Sequence, residues 1–144
     1  MTKIRFEVPG VPVAKGRPRA SRTALGVRMH TPAKTVRYES LVALFASRAM
    51  AGRPPIDVAI ILEVAACLPI PASWSKKKTT QALEIAILPI GKPDYDNIAK
   101  IVGDACNGII WTDDSRIVQA TIHKYYGAIP CLIVTAWVVD GEVE

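Results

Sequence analysis

The sequence predicts a single compact α+β domain over residues 1–144: a mixed β-sheet packed in two layers with two main helices. Three observations predict it. At 144 residues and 15.6 kDa the chain can bury one real core but not two. Half of the residues are hydrophobic and 22% are charged, the balance of a globular rather than a disordered chain. Finally, the apolar pattern changes along the chain from alternation to helical spacing and back, with strand-like segments at both ends and in the middle.

Lys3 to Val8 alternates, with Ile4, Phe6 and Val8 on one face, and Pro9-Gly10 closes the strand. Pro12 to Arg22 supplies proline, glycine and cations without periodicity and reads as a basic loop, with Val27 to His30 as a short extended return. Thr31-Pro32 opens a helix, because threonine can cap it and proline is tolerated at its first position. Val36, Leu41, Leu44, Phe45 and Ala49 carry its apolar spacing, and Gly52 ends it after about Ala51. Ile56 to Leu68, rich in β-branched residues, reads as a central strand buried on both faces. Pro69, Pro71 and Ser73 break it, and Trp74 to Glu84 reads as a short basic helix. Asp94 to Asn107 is a helix, and Arg116 to Tyr125 and Cys131 to Val139 are strands, with Gly127 and Pro130 marking the turn between them.

The net charge is +5 and the pI about 9.3. Cations gather at Lys15, Arg17, Arg19, Arg22 and Arg28 and again at Lys76, Lys77 and Lys78, a distribution suited to a polyanionic partner. Cys67, Cys106 and Cys131 are odd in number, have no CxxC spacing and sit among apolar residues, which predicts buried free thiols in a reducing compartment. The N-terminus has no apolar run of the signal-peptide kind. The apolar stretch Val58 to Ile70 is interrupted by Glu63 and Pro69 and falls short of the roughly 20 residues a membrane span needs. The expectation is a cytoplasmic protein with no membrane contact.

The chemistry concentrates in Gly91 to Ser115, where two acidic pairs, Asp94 with Asp96 and Asp113 with Asp114, flank the helix. At about 100° per residue, Asp96, Lys100 and Asn107 share one face with Asp104 beside them, opposite Ile98, Ile101, Val102 and Ala105. Taken singly, each polar residue has an ordinary reading. Asp94 or Asp96 caps the helix, Lys100 forms i,i+4 pairs with Asp96 or Asp104, and Asp113-Asp114 is a solvated turn. Together, two carboxylate pairs that converge through Asn107-Gly108 outline a site for a hard divalent cation such as Mg²⁺, which takes oxygen ligands and leaves positions for water and phosphate. With no usable His/Cys cluster, zinc is disfavoured. An EF-hand loop counted from Asp94 would need Gly and Glu where Ala99 and Ala105 stand. Gly91-Lys92-Pro93 separates the aspartates from any apolar strand, unlike a DxD phosphatase, and neither a Ser/His/Asp set nor a Walker loop can be assembled.

KPDYDNIAK, then DACNG, then WTDDS followed by Arg116-Ile117-Val118, closely resembles the RusA family of Holliday junction resolvases of bacteria, phages and prophages. Lys15-Gly16-Arg17-Pro18-Arg19 and the Thr31-Pro32 helix start are similar to phage-type members. The resemblance covers most of the chain in order, and its specific part is Gly91 to Ser115. It implies a RusA-like endodeoxyribonuclease domain over 1–144 that acts as a homodimer on four-way junctions in DNA recombination and repair. It also implies phosphodiester cleavage that depends on Mg²⁺, or possible Mn²⁺. By motif, Asp94, Asp96 and Asp114 are the catalytic metal ligands with Asp113 as fallback, and Lys100 is the catalytic lysine. Asn97 and Asp104 are supporting residues, while Lys15, Arg17, Arg19 and Lys92 are the DNA contacts. Lys92-Pro93 departs from members with an arginine-rich approach.

A two-fold enzyme suits a junction with two symmetry-related strands, and an apolar half of so short a chain leaves surface for a mate, on Ile56 to Leu68 and Cys131 to Val139. The rival readings are a non-catalytic DNA-binding protein of phage recombination or replication, a nuclease for flaps or forks, and a small-molecule phosphohydrolase.

Overall fold

In a computed structural model of the chain, which describes residues 2–16, 19–30 and 32–139 and only the backbone of Arg19 and His30, the alternation near the N-terminus becomes strand β1 (Thr2–Pro9). Its Ile4, Phe6 and Val8 turn inward. β2 (Arg19–Thr23) and β3 (Gly26–His30) form a separate antiparallel hairpin. Helix α1 (Ala33–Met50) follows, then β4 (Ile60–Pro69), α2 (Lys76–Leu83), α3 (Tyr95–Cys106), a 3-10 turn at Asp114–Arg116, β5 (Ile117–Gly127) and β6 (Cys131–Val138). The main sheet has the order β1-β6-β4-β5: β6 is antiparallel to both neighbours, and β4 and β5 are parallel. The fold is therefore the expected α+β architecture with a mixed sheet.

One face of that sheet carries the core. Register places Ile4 beside Ala136, Phe6 beside Val134 and Val64 beside Val134, so alternate residues of three strands meet the same helices. They pack with Tyr38, Val42 and Ala46 of α1 and with Ile98, Ile101 and Val102 of α3 in one buried cluster. On the opposite face Ile61, Ile133 and Trp137 stay half-buried. Cys67, Cys106 and Cys131 are free and buried. No helix among the described residues is long and apolar enough to cross a membrane.

Four sequence expectations need correction. The basic segment is not a loop through Arg22, since residues from Arg19 onward pair with β3; the strand lacks an apolar face because both of its faces meet solvent. In α1 the buried stripe is Thr35, Tyr38, Val42, Ala46 and Met50, which shares no residue with the expected set. Val36 and Leu44 are exposed, while Leu41, Phe45 and Ala49 pack only at the margin. Thr35 earns its buried place by accepting the Gly16 amide on Oγ1 at 3.2 Å, a contact no apolar period reveals. The helix ends on Ala51, itself left-handed at φ 50°, with its N–H bonded to the Ser47 carbonyl; Gly52 follows at φ 81°. Thr31, read as the cap, lies outside the described residues.

Ile56 does not begin the central strand either. The Ile56 N–H donates to the Ile110 carbonyl and its carbonyl accepts from the Thr112 N–H, so this residue braces a later loop, and β4 starts at Ile60. Finally, the turn marked by Gly127 and Pro130 does not join neighbouring strands: β4 lies between β5 and β6, and the link passes over its end. That crossing explains Gly127, which pairs with Pro69, because a Cβ there would collide with the Cys67 sulfur.

Candidate functional site

Helix α3 places the first acidic pair. Asp94 holds the N-cap position in extended conformation without capping through its side chain, so its exposed carboxylate has no hydrogen bond among the described residues. Asp96, in the first turn, accepts the Asn97 N–H on Oδ1 at 3.0 Å. The lead-in is held from the sheet: Lys124 Nζ of β5 donates to the carbonyl oxygens of Gly91 at 2.7 Å and Pro93 at 3.0 Å. The Lys92–Pro93 peptide is cis.

The second pair follows the end of α3. Asn107, expected on the catalytic face, instead caps the helix and accepts the Trp111 indole N–H on Oδ1 at 3.0 Å. Trp111 is fully buried, and Asp57 ties the following residues down through Thr112 Oγ1 at 2.8 Å and Arg116 Nε at 2.9 Å. Asp113 caps the 3-10 turn, accepting the Ser115 N–H on Oδ2 at 3.0 Å, and the Ser115 hydroxyl first, with that N–H second, holds its carboxyl below the ordinary value. Asp114 has no such duty: its Oδ2 lies 3.5 Å from where a Cβ would stand on Gly103. Of the two neighbours, Asp114 is the one whose carboxylate accepts no hydrogen bond among the described residues.

The polar face of α3 is cross-linked by charge. Asp104 takes Lys100 on Oδ1 at 3.2 Å and Lys15 on Oδ2 at 3.3 Å, and Lys15 also reaches Glu39 of α1 at 3.0 Å. Partial burial pulls the Lys15 ammonium down, but hydrogen bonds to Glu39 and Asp104 outweigh it and keep its pKa above the ordinary lysine value. Lys15, expected to hold DNA, is thus the clamp between α1 and α3, reinforced by its backbone N–H on the Asn97 carbonyl at 3.0 Å. Lys100 keeps more of its side chain in solvent than Asp104 does. Arg17 and the side chain of Arg19 lie outside the described residues.

Lys92 and Asp94 open onto a cleft of about 630 Å³ that is also lined by Lys34, Lys15 and Asn97. Cations around a free carboxylate suit a phosphodiester whose negative charge must be held next to a hydrolytic centre. Lys34 was not anticipated from sequence, although it belongs to a stretch from Val8 to Tyr38 with seven Lys or Arg and no Asp or Glu. Tyr95, exposed between the two aspartates, and Lys124 were also passed over. Lys124 carries a signal, being the charged member of an alternating set with Ala120 and Ile122.

Free carboxylates without histidine or cysteine beside them form the donor set of a hard divalent cation. Among the described residues no three His, Cys, Asp or Glu side chains come close enough to share an ion. Asp114 sits at Gly103, seven residues and about 10 Å along α3 from Asp96 at 1.5 Å per residue.

Residues 9–136 match the family described as endodeoxyribonuclease RusA. A curated relative from Bacillus subtilis (strain 168), named "Uncharacterized protein YqaN", is 40% identical over 134 residues, covering 90% of this chain and 92% of its own. With the match spanning both main helices, both acidic pairs, β4, β5 and most of β6, the chain belongs to the RusA family of endodeoxyribonucleases.

Proposed function

We propose that the protein is a divalent-metal-dependent nuclease that resolves four-way DNA junctions by paired, symmetric nicks during recombination and repair, acting as a homodimer. The observation that carries this reading is the cleft in which the unengaged Asp94 carboxylate meets Lys34 and Lys92 on a chain of this family. Mg²⁺, or Mn²⁺ in its place, would supply Lewis acidity at the phosphodiester and a water of lowered pKa. Asp94, Asp96 and Asp114 would hold the cation. Lys92 and Lys34 hold the strand backbone, and Lys100 adds positive charge beside the phosphate. Asp104 and Asn97 would support the arrangement by holding Lys15 and Lys100 against α3.

The separation of Asp114 from Asp96 gives the dimer a chemical reason: Asp94 and Asp96 of one subunit pair with Asp114 of the partner subunit. The surface that supports such a mate is the outer edge of β5, which begins three residues after Asp114 and exposes Val118 through Thr121. β4 and β6, named from sequence as interface strands, are interior and have no free edge.

Labelled four-way junction, duplex and single strand, each incubated with Mg²⁺ or EDTA, test the activity. Symmetric nicks in the junction that need Mg²⁺ support it; metal-indifferent binding without nicks would return the chain to a non-catalytic role, and single unpaired nicks to flaps or forks. For assembly, light scattering at micromolar concentration is expected to give about twice 15.6 kDa. Mixing inactive Asp94→Asn with inactive Asp114→Asn subunits should then restore nicking on one strand, because one of the two shared sites keeps all three carboxylates. If each site lay within one chain, the mixture would stay inactive.

Replacing Arg17 and Arg19 by Ala should weaken junction binding and flatten the log K against log salt slope by about 0.9 per lost phosphate contact. An unchanged slope places the DNA surface elsewhere, starting with Lys34 and Lys92.

A further inference from the structure

The β2–β3 hairpin is exposed along almost its whole length and adds nothing to the core. An isolated two-stranded hairpin is marginal in water, so its composition reflects what it meets. Ser21 lies across from Arg28 on one face and Arg22 across from Val27 on the other, so each face carries a cation. The hairpin lies inside a stretch from Val8 to Tyr38 that contains no Asp or Glu. Its turn is tightly made: Thr23 Oγ1 donates to the Gly26 carbonyl at 2.9 Å and accepts the Leu25 N–H, and Gly26 takes φ 122°, where a side chain would be strained. This turn holds Leu25 at the tip, fully exposed, where a polar residue would ordinarily stand.

We propose that this hairpin is a DNA-probing arm: Arg22 and Arg28 hold phosphates on the two walls of a groove, and Leu25 enters the stack at the branch point. The proposal rests on the junction-cleaving reading. Two strands about 4.8 Å apart, with their side chains, match the roughly 12 Å of a major groove. Cations on both faces suit a groove with phosphate on both sides, whereas a protein partner would need one face free of charge. An apolar wedge pays for unstacking wherever it enters a continuous duplex. At a branch point stacking is already interrupted, so the same leucine discriminates branched from linear DNA without reading a base.

The test places 2-aminopurine at the branch point of a four-way junction, in EDTA, with wild-type protein, Leu25→Ser, and Arg22→Ala/Arg28→Ala. Wild type should raise the fluorescence. Leu25→Ser should lose most of that rise and about tenfold of the preference for junction over duplex, as expected for one apolar side chain no longer buried, with duplex affinity and unfolding midpoint unchanged. The double arginine variant should weaken binding to both DNAs and flatten the salt slope by about 1.8. An undiminished fluorescence rise with Leu25→Ser overturns the wedge, as does a Leu25→Ser protein that becomes monomeric where wild type is dimeric, since the tip would then be a subunit contact. Wild type that cuts junctions in Mg²⁺ without any branch-point signal overturns the arm alone. Wild type that neither binds nor cuts them overturns the cleavage reading, and the arm with it.

Discussion

Asp94→Asn, Asp96→Asn and Asp114→Asn are each expected to reduce junction cleavage by roughly a thousandfold or more while leaving junction binding intact, because on the proposed reading each would take a charged ligand away from the divalent cation the site is to hold. Loss of a negative charge from a surface that meets phosphate should if anything tighten binding. Gel-shift titrations in EDTA and single-turnover cleavage in Mg²⁺ separate the two effects. Asp113→Asn should be milder, for its carboxylate holds the Ser115 N–H and an amide oxygen can still accept that hydrogen bond. The opposite order, with Asp113→Asn inactive and Asp114→Asn active, would transfer the third ligand to Asp113. Two of the three main variants cutting at near wild-type rates would remove the site assignment altogether.

The largest effect on stability is expected at Trp111. Its side chain is fully buried in the core, and truncation to Ala should cost about 3–5 kcal/mol. That is a large share of the 5–15 kcal/mol that typically holds a domain together, so urea denaturation should show a much earlier midpoint or no folded baseline. Trp111→Phe separates packing from positioning. It keeps most of the volume but leaves the Asn107 Oδ1 without its 3.0 Å donor at the end of α3. It should cost about 1–2 kcal/mol and slow cleavage more than that loss of folded protein explains, because the segment from Trp111 to Asp114 is anchored there. Cleavage that tracks only the folded fraction would reduce Trp111 to a core residue.

What the sequence discloses and what it conceals follow from the range of the interactions. Helix α3 was legible nearly to the residue because Pro93 bounds it and its apolar and polar faces separate cleanly. β1, β4 and β6 were legible from alternation and β-branched content, apart from the start of β4, where Ile56 is diverted to the Ile110 and Thr112 backbone. The buried stripe of α1 was displaced because Thr35 and Tyr38 enter the core, and neither is an obvious apolar marker. Lys15 read as a free cation because its partners Glu39 and Asp104 lie far off in sequence, and the same is true of Lys124 with Gly91 and Pro93. The freedom of Asp114 relative to Asp113 is decided by a turn that Trp111 and Asp57 hold from outside, which no local spacing encodes.

The strand order carries a consequence for how this enzyme is made. β6, last in the chain, is inserted between β1, the first, and β4, so β1 has no strand partner until residues 131–138 have left the ribosome. Parallel β4 and β5 are likewise joined only through a long crossover that contains both acidic pairs. Such non-local pairing folds late and slowly compared with hairpins or helices. A nascent or C-terminally clipped chain lacks β6 and leaves β1 without its strand partner, so the sheet that backs the two acidic pairs is complete only once residues 131–138 have been made.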